Sequence, residues 1–156
     1  MPDAFICRMC GQCCQGQGGI VLTTKDIHRL AAGLNISRHK MLTSHAVYEQ
    51  GKPVLTCQAD GTCVFFEANC GCTIHEYKPD VCRAWPFFRG NLEDEASWRM
   101  AQDYCPGINP DVSHQEFVRQ GLIYVRSHGL VYPQDPNSPF ALVTGHLLER
   151  HAALIS

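Results

Sequence analysis

The sequence predicts a mainly α-helical fold with a small β-hairpin, in which a cysteine-rich body at about residues 1–107 precedes a helical tail at about residues 108–156. Apolar residues recur at helical spacing in several segments, and two short β-prone segments flank a turn. Nine of the ten cysteines fall between Cys7 and Cys82, one is Cys105, and none follows it. A chain of 156 residues can bury a substantial core, so we expect a single domain.

The first two predicted helices follow an N-terminal stretch of 22 residues that has loop character. Thr24 has the features of an N-cap, Asp26 lies in the first turn, and Gly33 fits the C-terminal end of the helix. Ser37 then caps a second helix, which is expected to reach about Tyr48. Apolar residues lie on one side of each segment, which is typical of helices that pack on a core.

The β-hairpin is expected in the middle of the cysteine-rich body. Val54–Cys57 and Thr62–Glu67 are β-prone, and Ala59–Gly61 between them consists of turn-forming residues. Cys70–Cys72 is expected to form a tight turn. Glu76–Arg83 is expected to be a helical turn that is broken around its proline.

The remaining segments are mostly helical. Residues 85–88 form a rigid apolar segment, and residues 92–104 are expected to form a helix. A longer helix is expected from its cap Ser113 to about His128. Residues 133–139 contain three prolines and predict a stiff loop, after which residues 140–155 are expected to form the final helix.

The strongest chemical signal is Cys7-x2-Cys10-x2-Cys13-Cys14, which places four cysteines in eight residues. Thiols at this density bury little apolar area, whereas sulfur suits them to metal ligation. Two cysteines three residues apart and followed by glycine make the turn that zinc and iron sites use. Adjacent residues of an extended strand point to opposite faces, so Cys13 and Cys14 indicate two centres or one extended cluster.

A second group of cysteines lies around the predicted turns, where ligands from different segments can converge. Cys57 and Cys70 also fit ordinary core positions, and Cys105 fits either a ligand at a helix end or a packed thiol. A tetrahedral zinc or a [4Fe–4S] cluster takes four cysteines, so ten could fill two sites or serve one larger cluster. All ten are therefore candidate metal ligands: Cys7, Cys10, Cys13, Cys14, Cys57, Cys63, Cys70, Cys72, Cys82 and Cys105.

Other polar residues lie close to these cysteines. His75 could replace a thiolate, but a histidine without a metal is the more common case. Its neighbour Glu76 could supply an oxygen ligand or a partner to one. Arg8 and Arg83 are adjacent to cysteines and could offset the negative charge of thiolate sites.

Composition and motifs exclude several classes of protein. The net charge is −2 without a run of Lys or Arg, so nucleic-acid and anionic-membrane binding are not indicated. The apolar stretches are far below the ~20 residues of a membrane span. The N-terminus lacks a secretory pattern, so we expect the cytosol, where thiols stay reduced. Motifs for zinc proteases, serine hydrolases, P-loops, dinucleotides and radical S-adenosylmethionine clusters are absent.

These motifs resemble the CxxCxxCC family, a zinc- or iron-chelating cysteine-cluster family that also takes in flagellin lysine N-methylase. The N-terminal cluster matches the family signature. The segments LTTKDIHRLA at 22–31, CVFF at 63–66 and CTIHEYKPDVCRAWPF at 72–87 resemble its later blocks. Together they cover roughly residues 5–107.

Individual residues also resemble those of the family, with two departures. Cys63, Cys72 and Cys82 match the later cysteines of the family, and the Cys-Arg-x-x-Pro ending is present at residues 82–86. His75 stands where the family usually has tyrosine, and Lys78 replaces an arginine before a proline. Neither departure removes a sulfur.

The resemblance implies metal chelation, with an iron–sulfur cluster as the leading cofactor. It does not imply methylation, because flagellin methylase is a much longer chain. Two alternatives remain: a structural zinc-binding interaction module, and a metal-dependent methyl- or group-transfer enzyme. In each case the C-terminal helices could form a surface for a protein or redox partner.

Overall fold

The computed structural model describes residues 2–8, 10, 20–68, 70–133 and 139–156. Contacts divide the chain into two compact units. The cysteine-rich unit is Gly11–Arg83, and the helical unit consists of Met1–Cys10 and Ala84–Ser156. The single-domain organisation stays a prediction. Within the described ranges, no helix has the length and apolar character needed to cross a membrane.

The first helix of the cysteine-rich unit, α1, is Thr24–Leu34. The predicted cap at Thr24 is wrong by one residue. Thr23 is the N-cap, because its hydroxyl accepts a hydrogen bond from the amide of Asp26 at 3.1 Å while the Asp26 carboxylate accepts one from the Thr23 amide at 2.8 Å. The helix ends at Asn35, whose left-handed backbone (φ 56°) forms the C-cap.

Gly33 lies inside α1 and does not cap it, so that prediction is also wrong. A Cβ atom at this position would lie 2.5 Å from Cδ2 of the Tyr77 ring. Glycine is therefore required by the close approach of Tyr77, which packs against the core of this unit.

We expect Gly33→Ala to lower the free energy of unfolding by about 1–2 kcal/mol, because displacing the Tyr77 ring outweighs the gain in helix propensity. Urea unfolding measures the change. Gly90→Ala is the matched control, because Gly90 is also helical and has open space around it. If Gly33→Ala were as stable as Gly90→Ala, the close packing against Tyr77 would be wrong.

The second helix, α2, is Arg38–His45, and its cap at Ser37 is confirmed. It does not reach Tyr48 as predicted. Strand β1, Ala46–Glu49, follows at once and pairs antiparallel with β2, Lys52–Leu55. The two turn residues between the strands have positive φ values of 53° and 80°, the pair of values that a two-residue hairpin turn needs. This turn starts a hairpin where the sequence suggested the end of a helix.

The predicted hairpin around Ala59–Gly61 is confirmed in its central pair, since Cys57 bridges Cys63 in antiparallel fashion. Val54 and Leu55 instead belong to β2. Strand β3, Phe66–Glu67, pairs with β4, Gly71–Cys72. The tight turn predicted at Cys70–Cys72 is therefore wrong for its last two residues, which form β4. The turn comes before this strand, where the Cys70 amide donates to the carbonyl of Glu67 at 3.1 Å.

The core of the cysteine-rich unit is formed by α1, α2 and the hairpin strands. Its buried members include the candidate ligand Cys63 and nearby Phe65, and the candidate ligand Cys72 packs against it. The others come from the helices, the strands and the segments that join them: Leu22, Ile27, Leu30, Ala31, Met41, Ala46, Leu55 and Ile74.

A 3-10 turn at His75–Tyr77 precedes helix α3, Asp80–Ala84. The predicted helical turn with a break at its proline is confirmed, because Pro79 lies between the two elements.

In the helical unit, residues 92–104 do not form one helix. Helix α4 is Arg89–Glu93 and α5 is Glu95–Tyr104. Asp94 separates them, because its carboxylate accepts hydrogen bonds from the amides of Ala96 and Ser97 and so caps α5. Helix α6, His114–Ser127, confirms the predicted helix with its cap at Ser113.

The final helix is shorter than predicted. Strands β5, Val131–Tyr132, and β6, Val143–Thr144, pair in parallel. Helix α7, Gly145–Arg150, begins after β6, and α8, Ala152–Ile155, follows. The extended pairing of β6 displaces the helix start by five residues from the predicted 140. Residues 134–138 of the predicted stiff loop lie outside the described part of the chain.

Aromatic rings form part of the interior of the helical unit. Phe87 packs on Phe117 with ring centroids 5.1 Å apart, and Phe5 meets Phe87 edge-on at 6.0 Å. The N-terminal segment is thereby held against the helices just before Cys7. Its backbone also bridges Ile108 through Phe5.

Candidate metal centre

Cys57 and Cys63 face each other across the hairpin of the cysteine-rich unit. The two flanking backbone hydrogen bonds run from Gln58 N to Thr62 O at 2.7 Å and from Val64 N to Thr56 O at 3.0 Å. This pattern makes Cys57 and Cys63 a non-hydrogen-bonded antiparallel pair, the kind in which side chains approach most closely. The two sulfurs therefore lie on the same face of the hairpin.

The turn between these cysteines is fixed by its own polar groups. The Asp60 carboxylate accepts hydrogen bonds from the amide of Thr62 at 3.0 Å and from its hydroxyl at 2.7 Å. These bonds lower the pKa of Asp60 below its ordinary value. Gly61 adopts the positive φ of 88° that the turn requires. The side-chain amide of Gln58 donates to the carbonyl of Cys63 at 2.9 Å, which links the residue after Cys57 to the opposite strand of the hairpin.

Cys70 and Cys72 lie on the next two-stranded ladder. Cys72 is half-buried opposite Phe66, and Cys70 is exposed in the turn. Thr73 binds the carbonyl of Phe65 through both its amide and its hydroxyl, each at 2.8 Å. Cys63 and Cys72 thus both come from backbone that is fixed by hydrogen bonds and packed on the same core.

Cys82 is half-buried on α3, and a network of charged residues holds the start of that helix. The amide of Asp80 donates to Oδ1 of Asp26 at 2.9 Å. The Arg29 guanidinium lies 3.1 Å from Asp80 and 3.4 Å from Asp26, and it also donates to the carbonyl of Lys78 at 3.0 Å. The backbone immediately before Cys82 is therefore tied to α1.

Asp26 is the centre of this network. Its carboxylate is fully buried, caps its own helix through Thr23, and accepts the first amide of α3. Burial raises the pKa of Asp26 above its ordinary value, and the charge of Asp80 adds to the rise. Arg83, adjacent to Cys82, lies 3.6 Å from Asp80. It takes part in this network, so its charge already has a carboxylate partner.

In the helical unit, Cys7 and Cys10 are exposed. The Ile6 amide donates to the Gly107 carbonyl at 3.0 Å, and the Asn109 amide donates to the Ala4 carbonyl at 2.9 Å. These bonds pair the N-terminal segment antiparallel with the segment after α5. Phe5 and Ile108 face each other in this pairing. Because the segments are antiparallel, Cys7, which follows Phe5, and Cys105, which precedes Ile108, lie towards the same end of the pair.

Cys105 is buried at the C-terminal end of α5. The indole N–H of Trp85 donates to its sulfur at 3.4 Å. Trp85 also stacks on Tyr104, with ring centroids 5.7 Å apart. A sulfur that receives an N–H donor is suited to carrying negative charge, but the same contact also fits a packed thiol.

The described residues contain no group of three or more His, Cys, Asp or Glu side chains arranged to hold a metal ion. Cys13 and Cys14 lie outside the described ranges, so the N-terminal motif is represented only by Cys7 and Cys10. The structure thus pairs Cys57 with Cys63 but leaves the assignment of all ten ligands as a prediction. His75 is half-buried beside Lys78, and burial, with the lysine charge, lowers its pKa.

Sequence reasoning missed the Asp26–Arg29–Asp80 network. It placed Asp26 only in the first turn of a helix, and the local signal available was the capping box with Thr23. It also missed a cleft of about 810 Å³ in the helical unit, lined by residues of α4 to α8 that include Glu93, His114 and Arg150. No described cysteine lines this cleft, so it is separate from the thiol chemistry.

These features define a cysteine-rich protein with thiols fixed on short hairpins and helix ends. A family model named CxxCxxCC, described as "Putative zinc- or iron-chelating domain", matches residues 6–106. The match spans more than half of the chain, and the protein belongs to this family. No curated protein and no solved structure matches the chain.

The donor set of the described residues fits the metals that the family description names. Thiolates bind both zinc and iron, and Cys63 lies on a hairpin whose backbone is held by hydrogen bonds. Buried Cys63 and half-buried Cys72 and Cys82 lie on backbone held by hydrogen bonds. Each of these three thiols is less exposed to water than Cys7 and Cys10.

Proposed function

We propose that this protein binds an iron–sulfur cluster through its cysteine thiolates. The proposed ligands are Cys7, Cys10, Cys13, Cys14, Cys63, Cys72 and Cys82, with Cys57, Cys70 and Cys105 as further candidates. The observation that carries the proposal is the density of thiols in the N-terminal motif, four in eight residues, in a chain of the CxxCxxCC family. An iron–sulfur cluster would supply one-electron transfer.

The residues of the chain would prepare the thiols for this role. The hairpin turn at Asp60–Thr62 fixes the backbone that carries Cys63 before any metal binds. The Asp26 network fixes the helix that carries Cys82. Ligands held in place lose less conformational entropy on binding, which favours tight metal affinity. We place the protein in the cytosol, where its thiols would stay reduced and available.

Anaerobic purification followed by metal analysis, acid-labile sulfide determination and a visible spectrum on one sample tests the proposal. We expect iron and sulfide in matching amounts together with visible absorption, because thiolate-bound iron is coloured and zinc is not. Part of the fold stability should depend on the metal, since ligation free energy contributes to folding in small thiolate domains. A chelator should therefore lower the unfolding midpoint.

Zinc without sulfide would replace the iron–sulfur proposal by the structural zinc alternative, which the family description supports equally. Absence of both metals from protein prepared anaerobically, and failure to take up either one on reconstitution, would contradict metal binding altogether. Heterologous expression can load the wrong metal, so reconstitution with iron and sulfide and with zinc are both needed.

A further inference from the structure

We propose that Cys57 and Cys63 form a reversible intramolecular disulfide, which makes this hairpin a thiol–disulfide exchange site for low-molecular-weight disulfides. The inference goes beyond metal binding and does not require it. It rests on the backbone pairing of the two cysteines and on their different exposure.

The backbone geometry meets the requirements of a disulfide. In a non-hydrogen-bonded antiparallel pair the Cα atoms lie about 4.5 Å apart, and disulfides occur at Cα separations of about 4.4–6.8 Å. Cys57 and Cys63 are such a pair, framed by the two hydrogen bonds at 2.7 and 3.0 Å on either side. The bond can thus form without moving the strands.

The hairpin keeps the two sulfurs close together. The Asp60–Thr62 contacts and the Gln58 side chain fix the turn between them. Closing a loop that is already formed costs little further chain entropy. The half-buried Cys57 leaves the bond open to a small thiol from one side, and disulfides that are exposed are the labile ones. This favours a bond that opens and closes over a permanent staple.

The different exposure of the two cysteines sets the order of the steps. Cys57 is half-buried, whereas Cys63 is only 7% exposed. The Cys57 thiolate attacks a small disulfide such as glutathione disulfide, which forms a mixed disulfide and releases one glutathione thiolate. The Cys63 thiolate then attacks the sulfur of Cys57 and releases the second glutathione. The two cysteines lose two electrons and two protons, and one glutathione disulfide becomes two thiols.

Neighbouring cysteines lack this arrangement. Cys72 lies opposite Phe66, so its cross-strand partner has no sulfur. Cys70 is exposed in the turn before Gly71, where no cysteine is paired with it across the ladder. Among the described ladders of this unit, Cys57–Cys63 is the position where two cysteines lie directly opposite each other.

The proposal also predicts competition with a metal. Cys63 is one of the proposed ligands, and a sulfur in a disulfide cannot serve as a thiolate ligand. Bound metal would protect Cys63 from oxidation, and oxidation would weaken metal retention.

The test exposes the full chain to a glutathione redox buffer in three forms: as purified, after metal removal by a chelator, and unfolded in urea. Remaining thiols are alkylated, and the protein is cut before aspartate without reduction. This cleavage leaves Cys57 alone in residues 26–59, separate from residues 60–79 that contain Cys63, Cys70 and Cys72. Mass spectrometry then measures the linked pair of peptides, and near-UV circular dichroism verifies the folded samples.

We expect the link between these peptides in at least one folded sample, enriched several-fold over the urea sample. Cys63→Ser should abolish it, and Cys70→Ser, the matched control at an exposed position, should leave it intact. A link no more abundant in the folded protein than in urea, or one that survives Cys63→Ser, would overturn the proposal. A chain that binds no metal but forms the selective disulfide would refute only the metal-binding function.

Discussion

Asp26→Ala is expected to lower the free energy of unfolding by about 2–4 kcal/mol, because an amide left without its acceptor costs about 1–3 kcal/mol and two amides lose theirs. The carboxylate of Asp26 is fully buried and accepts hydrogen bonds from the amides of Thr23 and Asp80. Alanine leaves both amides without this acceptor and removes one of the two carboxylates around Arg29. Urea unfolding at fixed metal content measures the loss.

Asp60→Ala is the matched control for this prediction. Asp60 also accepts a backbone amide and a hydroxyl, both from Thr62, but it is exposed and has no cationic partner in the described contacts. Its loss should cost much less stability than the loss of Asp26, because groups at an exposed position can exchange the lost hydrogen bonds for bonds to water. If the two aspartate variants lost equal stability, the network around Asp26 would have no special role in joining α1 to α3.

The same network predicts a pH dependence. Burial raises the pKa of Asp26 above its ordinary 3.8, so the folded protein holds this proton more tightly than the unfolded chain does. The extra stability that this proton gives the folded protein is fully present below the ordinary pKa. It is lost as the pH rises through the raised pKa of Asp26 in the folded protein. Asp26→Asn removes the titration, so the stability of wild type relative to this variant should fall with rising pH. A difference that is constant with pH would contradict the prediction.

The features that were predicted correctly from sequence depend on short-range hydrogen bonds. Ser37 and Ser113 cap their helices through amides three residues away, and the Cys57–Cys63 pairing follows from the turn residues between them. The helix break at Pro79 follows from the missing amide of proline. In each case the cause lies within a few residues of the effect, where a sequence pattern can show it.

The errors have physical causes that a local pattern does not show. Asp94 caps a helix in the middle of a continuous helical pattern, and Thr144 is drawn into a strand by pairing with Tyr132. The contact of Asp26 with Asp80 joins residues 54 positions apart. Glycine at position 33 is explained by a ring from a distant segment, Tyr77. The candidate site was predicted as a set of sulfurs, but the residues that hold their backbone were not.

Cys13→Ser and Cys14→Ser are each expected to weaken metal binding by at least about tenfold, since even partners of metal ligands contribute about 10–100-fold to affinity. Adjacent side chains of an extended strand point to opposite faces, so one cannot substitute for the other at the same position of a site. Serine keeps the size and polarity of cysteine but is a poor ligand for zinc or iron at neutral pH. Metal-to-protein ratios after reconstitution, and competition with a chelator, measure the effect.

Cys57→Ser is the matched control, because Cys57 is a further candidate and not one of the seven principal proposed ligands. We expect it to leave the metal-to-protein ratio unchanged while it abolishes the hairpin disulfide. The two chemistries proposed for this protein are thereby separated in single variants: Cys13 and Cys14 report on metal alone, Cys57 on the disulfide alone, and Cys63 on both. Unchanged metal content in both Cys13→Ser and Cys14→Ser would rule out the adjacent pair as ligands of two centres or of one extended cluster.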